Sequence, residues 1–157
     1  MSVTLVATAG SSSANSYIDV IDATAILEEY LTSITSGWDA ASATLKAQSL
    51  IQGTRDIDTL RLIDEPYTET QALHFPTDID AEIPDCVERA TCLQAAYLLR
   101  SGTTAQKVKD MIGAGIQSQG AGRLSQNLNK YNMSHVCEEA LAELSGYIIN
   151  SVRVERG

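Results

Sequence analysis

A mainly α-helical fold is what this sequence predicts: a small bundle of four to five helices with a projecting β-hairpin and extended N- and C-terminal arms. Three observations carry that prediction. Apolar residues recur at three- and four-residue spacing behind capping residues in several separate stretches. Two short polar runs flank Gly120-Ala121-Gly122, the pattern of a hairpin turn. Residues 1–16 and 151–157 show no helical period.

The first arm, Thr8-Ala9-Gly10-Ser11-Ser12-Ser13-Ala14-Asn15-Ser16, is small and polar and buries little. Asp19 then caps a first helix over about 20–32, with Asp22 in its first turn and Gly37 beyond its end. Ser42 caps a second helix over 43–58, where Ala43, Ala47, Leu50, Thr54 and Ile57 form one stripe. Residues 60–83 hold Pro66 and Pro76 and no sustained period, so they read as a long irregular loop, a feature that is often functional. Pro84 suits the first turn of a third helix over 84–100, stopped by Ser101-Gly102. A shorter helix follows over 104–112, closed by Gly113 and Gly115. The hairpin occupies about 116–128, and its polar side chains could fill little core, so it is expected to project. Ser134 caps a last helix over about 135–150, with Val136, Ala140, Leu144 and Tyr147 inward. The tail Ser151-Val152-Arg153-Val154-Glu155-Arg156-Gly157 alternates like a strand and invites pairing with another subunit.

Composition bounds the class. At 157 residues, 44% hydrophobic and 20% charged, the chain fits one globular domain, organised as arm 1–16, body 17–150 and tail 151–157. One Trp and one Phe leave Ala, Leu, Ile and Val to build the core. No apolar run approaches the roughly 20 residues of a membrane span, and residues 1–10 lack a secretory pattern, so no membrane role is expected. Cys86, Cys92 and Cys137 are odd in number and badly spaced for zinc, and read as reduced thiols.

The net charge of −9 is unevenly spread. Residues 56–88 hold Asp56, Asp58, Asp64, Glu65, Glu69, Asp78, Asp80, Glu82, Asp85 and Glu88 against Arg61. Residues 100–130 hold Arg100, Lys107, Lys109, Arg123 and Lys130 against Asp110. Tight nucleic-acid binding normally needs a net basic face, which the whole chain lacks. The bipolar layout would let identical subunits in a ring set acidic against basic patches.

No phosphate loop, dinucleotide fingerprint or metal helix motif is present. His74 and His135 lack a nucleophile at a useful spacing: His135 and Cys137 are two apart, which points them differently on a helix. Asp56/Asp58 and Asp78/Asp80/Glu82 could draw a divalent cation, but Asp78-Ile79-Asp80-Ala81-Glu82 lacks the glycine and distal glutamate of a calcium loop and reads as solvated loop acids. No catalytic residue, metal site or cofactor is expected.

Several motifs fall in a telling order: Asn15-Ser16-Tyr17 before a capped helix, then Trp38, then Thr70-Gln71-Ala72-Leu73-His74-Phe75-Pro76. Ile83-Pro84 follows, opening a helix with Ala90-Thr91 and Ala95-Ala96-Tyr97-Leu98-Leu99. Across about residues 14–157 the chain resembles the head–tail connector, or head-completion adaptor, family of tailed bacteriophages. Related sequences are also labelled DnaT-like single-stranded-DNA-binding proteins. The resemblance implies a structural, non-enzymatic subunit of the virion neck, made in the host cytoplasm. It implies a homo-oligomeric ring, typically dodecameric, that docks on the portal protein after DNA packaging and extends the channel for double-stranded DNA. The ring would offer a platform to a stopper or tail-completion protein. It places the portal contact on Ser151, Val152, Arg153, Val154, Glu155 and Arg156. Gln117, Gln119, Gly120, Gly122 and Arg123 of the hairpin become candidates for subunit or stopper contacts. His74 stands where that family often has another aromatic or apolar residue, and only Arg61 represents its Arg-rich loop, so no DNA-contact residue is carried over. The alternative expectation is a single-stranded-DNA-binding replication accessory, which needs aromatic platforms on a basic groove.

Overall fold

In a computed structural model the described residues are 3–102 and 135–149, together with the backbone of Ser118–Ala121 and Leu124–Asn127. They are mainly helical: α1 (Val20–Leu27), α2 (Thr32–Asp39), α3 (Ala43–Asp58), α4 (Asp85–Ser101) and α5 (Glu138–Glu143). Strands β1 (Ser118–Ala121) and β2 (Leu124–Asn127) pair antiparallel, Ala121 opposite Leu124. The full span 116–128, its projection from the body, the helix over 104–112, the cap Ser134 and the tail 151–157 lie outside the described residues.

The α4 helix is the hub, packing against α1, α2, α3 and α5. Its run Ala90, Thr91, Cys92, Leu93, Gln94, Ala95 and Ala96 is buried on every face, because neighbours surround it. One core joins Ile57, Val87, Leu93, Ala140 and Leu144 with the rings of Tyr17 and Phe75. A second joins Leu27, Trp38, Leu50, Cys92 and Ala95.

Local chemistry explains the element ends. Asp19 accepts from the N–H groups of Ile21 and Asp22, and Ser42 accepts from Leu45, as capping residues do. The helix expected over 20–32 is instead two helices. Leu31 adopts extended backbone (φ −63°, ψ 140°), and α2 begins in the Thr-Ser-rich run that follows. The reversal brings Trp38, 1% exposed, back under α1, where its Nε1–H donates to Thr24 Oγ1 at 3.3 Å. Gly37 does not end a helix; it sits inside α2 at a close approach to α4.

Two further expectations are corrected. The N-terminal segment is not an extended arm along its length. Asn15 N–H and Ser16 N–H both donate to Val6 O, Asn15 Oδ1 accepts from Val6 N–H, and Ala14 and Ser16 are buried. Small residues let this loop fold flat against the body. The last helix is shorter than 135–150. His135, Val136 and Cys137 precede it in non-helical backbone, and after Leu144 the chain runs antiparallel to residues 61–63. There Ile63 N–H donates to Tyr147 O and Ile149 N–H to Arg61 O, both at 2.8 Å.

Residues 60–83 contain no helix, yet they form a fastened strap. Pro66 and Thr77 bridge antiparallel, and the Phe75–Pro76 bond is cis. Gln71 holds the tip: its Nε2 donates to the carbonyls of Leu73, His74 and Pro76, while its Oε1 accepts from Thr68 N–H. Phe75, 1% exposed, plugs the strap into the core with edge-on contacts to Tyr17 at 5.8 Å and Tyr147 at 5.4 Å.

Candidate functional site

The last turns of α3 present two carboxylates two residues apart, and the structure sends them to different partners. Asp56 is 3% exposed. It accepts from Gln52 Nε2 and from Gln94 Nε2, each at 2.8 Å. Gln94 is wholly buried in α4; its Nε2 also donates to His135 O at 3.1 Å and its Oε1 accepts from Cys137 N–H at 2.9 Å. His135 Nε2 lies 3.1 Å from Thr59 Oγ1 and 3.6 Å from Asp56 Oδ1. One glutamine thereby pins the entry to α5 onto α3 and α4, with every polar atom matched, as a buried network requires.

Asp58 faces the strap and the N-terminal loop. Tyr17 Oη–H donates to it, and the same phenol oxygen accepts from Phe75 N–H at 3.3 Å. Burial, more than any other influence, raises the Asp58 carboxyl from its ordinary value, against the hydrogen bonds of the Tyr17 side chain and the His74 backbone. Burial also raises the Tyr17 phenol, helped by the neighbouring Asp58 charge. His74 Nε2–H donates to Ile63 O at 3.1 Å. These groups satisfy one another and fasten loop to helix to strap.

Above this junction lies a cleft of about 350 Å³ lined by Ala14, Asn15, Arg55, Asp58, Thr59, Ala72 and Leu73. Its lining is largely apolar and includes the exposed Arg55. Also in the strap, Tyr67 and Ile79 stand 60% and 71% exposed.

Asp56 and Asp58 are therefore tied to different partners, Gln52 and Gln94 for the first and Tyr17 for the second. Among the described residues, no group of three or more His, Cys, Asp and Glu side chains is placed to hold a metal ion. Also among them, no helix is long and apolar enough to cross a membrane. Asp78 is exposed, and Asp80 accepts from Tyr147 Oη at 2.8 Å. Of the expected contact residues, Gln119 and Gly120 lie in β1 as backbone only. Gln117, Gly122, Arg123 and the whole of 151–156 fall outside the described residues. The Gln94 clamp and the Arg55 cleft were not foreseen. A glutamine in the apolar stripe of α4 was the available signal for the first, and none marks the second.

Residues 1–156 match the sequence model of a family described as putative DnaT-like ssDNA binding protein. No curated protein and no solved structure matches the chain.

Proposed function

This chain belongs to the family described as putative DnaT-like ssDNA binding protein, and within it we propose a structural subunit of the tailed-phage neck. Copies form a ring on the portal protein after DNA packaging, extend the channel and offer a platform to the stopper or tail. The observation that carries this reading is the strap. It is an acidic segment, fastened at both ends of the chain, that exposes Tyr67 and Ile79 instead of burying them. Large apolar side chains held in water on a fixed frame suit protein–protein contact. The acidity suits a channel wall, because repulsion from phosphate lets double-stranded DNA slide without adhering. The alternating segment 151–156 supplies the portal contact, and the hairpin and strap serve subunit or stopper contacts.

Co-sedimentation with portal rings tests the reading. Full-length protein pellets with portal, and deletion of residues 151–157 abolishes this. Unchanged pelleting of the deletion variant rejects the portal assignment; absence of the chain from the neck of mature particles, seen by electron microscopy, rejects the function.

The family description itself favours a second reading, a single-stranded-DNA-binding accessory. Base stacking on aromatic rings over a basic groove is the usual means. Tyr67, an exposed aromatic of the described body, stands between Glu65 and Glu69, which repel phosphate. A labelled oligonucleotide whose anisotropy rises at micromolar protein and falls with added salt would decide for this second reading.

A further inference from the structure

We propose that Ile79 is the anchor by which copies of this chain join, and that the cleft beside Arg55 on a second copy receives it. The inference rests on the ring reading above and names its subunit contact.

Ile79 is held out, not merely left out. Thr77, wholly buried, fixes the turn that carries it: Thr77 N–H donates to Asp80 O at 3.0 Å, and Asp80 N–H donates to Thr77 Oγ1 at 3.1 Å. Tyr147 Oη–H clamps the Asp80 carboxylate from the other side. The backbone that carries this side chain is ordered before docking, so no loop has to be fixed when it docks.

The cleft has the matching chemistry. Ala14, Ala72 and Leu73 give apolar lining within a volume of about 350 Å³, ample for a branched aliphatic side chain and a neighbouring carboxylate. Arg55 in the lining is exposed and makes no ion pair with another described residue. Ile79 is flanked by the exposed Asp78, and Glu82 follows three residues on. Asp58 in the same cleft is occupied by Tyr17 and the His74 backbone, so Arg55 is left to read the incoming acid. Knob and hole are different surfaces. A contact between them is head-to-tail, and it closes into a ring when the rotation between copies permits.

The test uses the full chain, alone and with portal rings, and reads ring formation by native mass spectrometry and electron microscopy. Ile79→Asp and Arg55→Glu each weaken self-association by about tenfold or more. Arg55→Glu combined with Asp78→Arg in one chain restores it. Both positions are exposed, so melting temperature stays at the wild-type value; should Ile79→Asp lower it, Ile79→Ala gives the same reading. Rings that form equally well from both single variants overturn this contact and leave the ring reading standing. Wild-type protein that stays monomeric beside portal rings overturns both.

Discussion

Gly37 in α2 lies against the backbone of Arg100 in α4: a Cβ at that glycine would stand 2.5 Å from the Arg100 nitrogen and 2.7 Å from the Leu99 carbonyl carbon. Backbone cannot swing aside as a side-chain tip can, so the two helices would have to part. Ala is the better helix former by about 1 kcal/mol, but overpacking costs about 1–3 kcal/mol and here should dominate. Gly37→Ala therefore lowers the unfolding free energy measured by urea titration. An unchanged midpoint would mean that the helices are not this close.

Tyr17 holds loop, helix and strap together through one oxygen. Tyr17→Phe keeps the ring against Phe75 but removes the donor to Asp58 and the acceptor for Phe75 N–H. Each buried group left without its partner costs about 1–3 kcal/mol. Proteolysis within residues 60–83 should accelerate in this variant while cleavage elsewhere does not; equal acceleration everywhere would contradict a local role.

Gln94→Leu preserves volume and deletes the clamp on α5. Asp56 loses one of its donors, and Cys137 N–H and His135 O lose their partner. The expected loss is again about 1–3 kcal/mol per stranded group. Hydrogen exchange should rise first in α5 and residues 135–137. Wild-type protection there would show that other contacts carry the docking.

The raised Asp58 carboxyl has a definite sign. Its folded value lies above the ordinary 3.8, so between those two values the folded state binds more proton than the unfolded chain. The stability it contributes is present below 3.8 and is lost as pH rises through the folded value. The difference in unfolding free energy between wild type and Asp58→Asn should fall across that window. A difference that is flat with pH, or that grows, refutes the assignment.

The thiols should react in order of access. Burial pushes Cys92 up to about 12 and Cys137 up to about 11, while Cys86 is raised and half-buried. Thiolate is the reactive form, so maleimide at neutral pH should label Cys86 first and the other two only on unfolding. Labelling of Cys92 at the rate of Cys86 would place it nearer the surface.

The α3 helix was legible to the residue because its cap, Ser42, and its apolar stripe agree. The break at Leu31 was not, since a helical spacing of apolar residues continues through it; Trp38 reaching back to Thr24 decides the matter, and that is a tertiary contact. Gly37 read as a stop because a glycine needed for close approach looks the same in one dimension as a glycine that ends a helix. The strap hid for a similar reason. Its order comes from Gln71, Tyr17 and residues 147–149, the first local but side-chain-made, the others remote in sequence. Asp56 and Asp58 stood out as charges, while their partners Gln94 and Tyr17 lie 38 and 41 residues away.

Ser11 O accepts from Ala72 N–H near one end of the chain, and Tyr147 O and Arg61 O pair with Ile63 N–H and Ile149 N–H near the other. The strap between them is thus the clasp of the molecule. A nascent polypeptide that has not yet released residue 149 holds its helices without its clasp, and contacts this distant in sequence form late. A polypeptide that ends before residue 147 lacks both the Tyr147 Oη–H donor to Asp80 and the pairing with residues 61–63, so its strap is held from the N-terminal side alone.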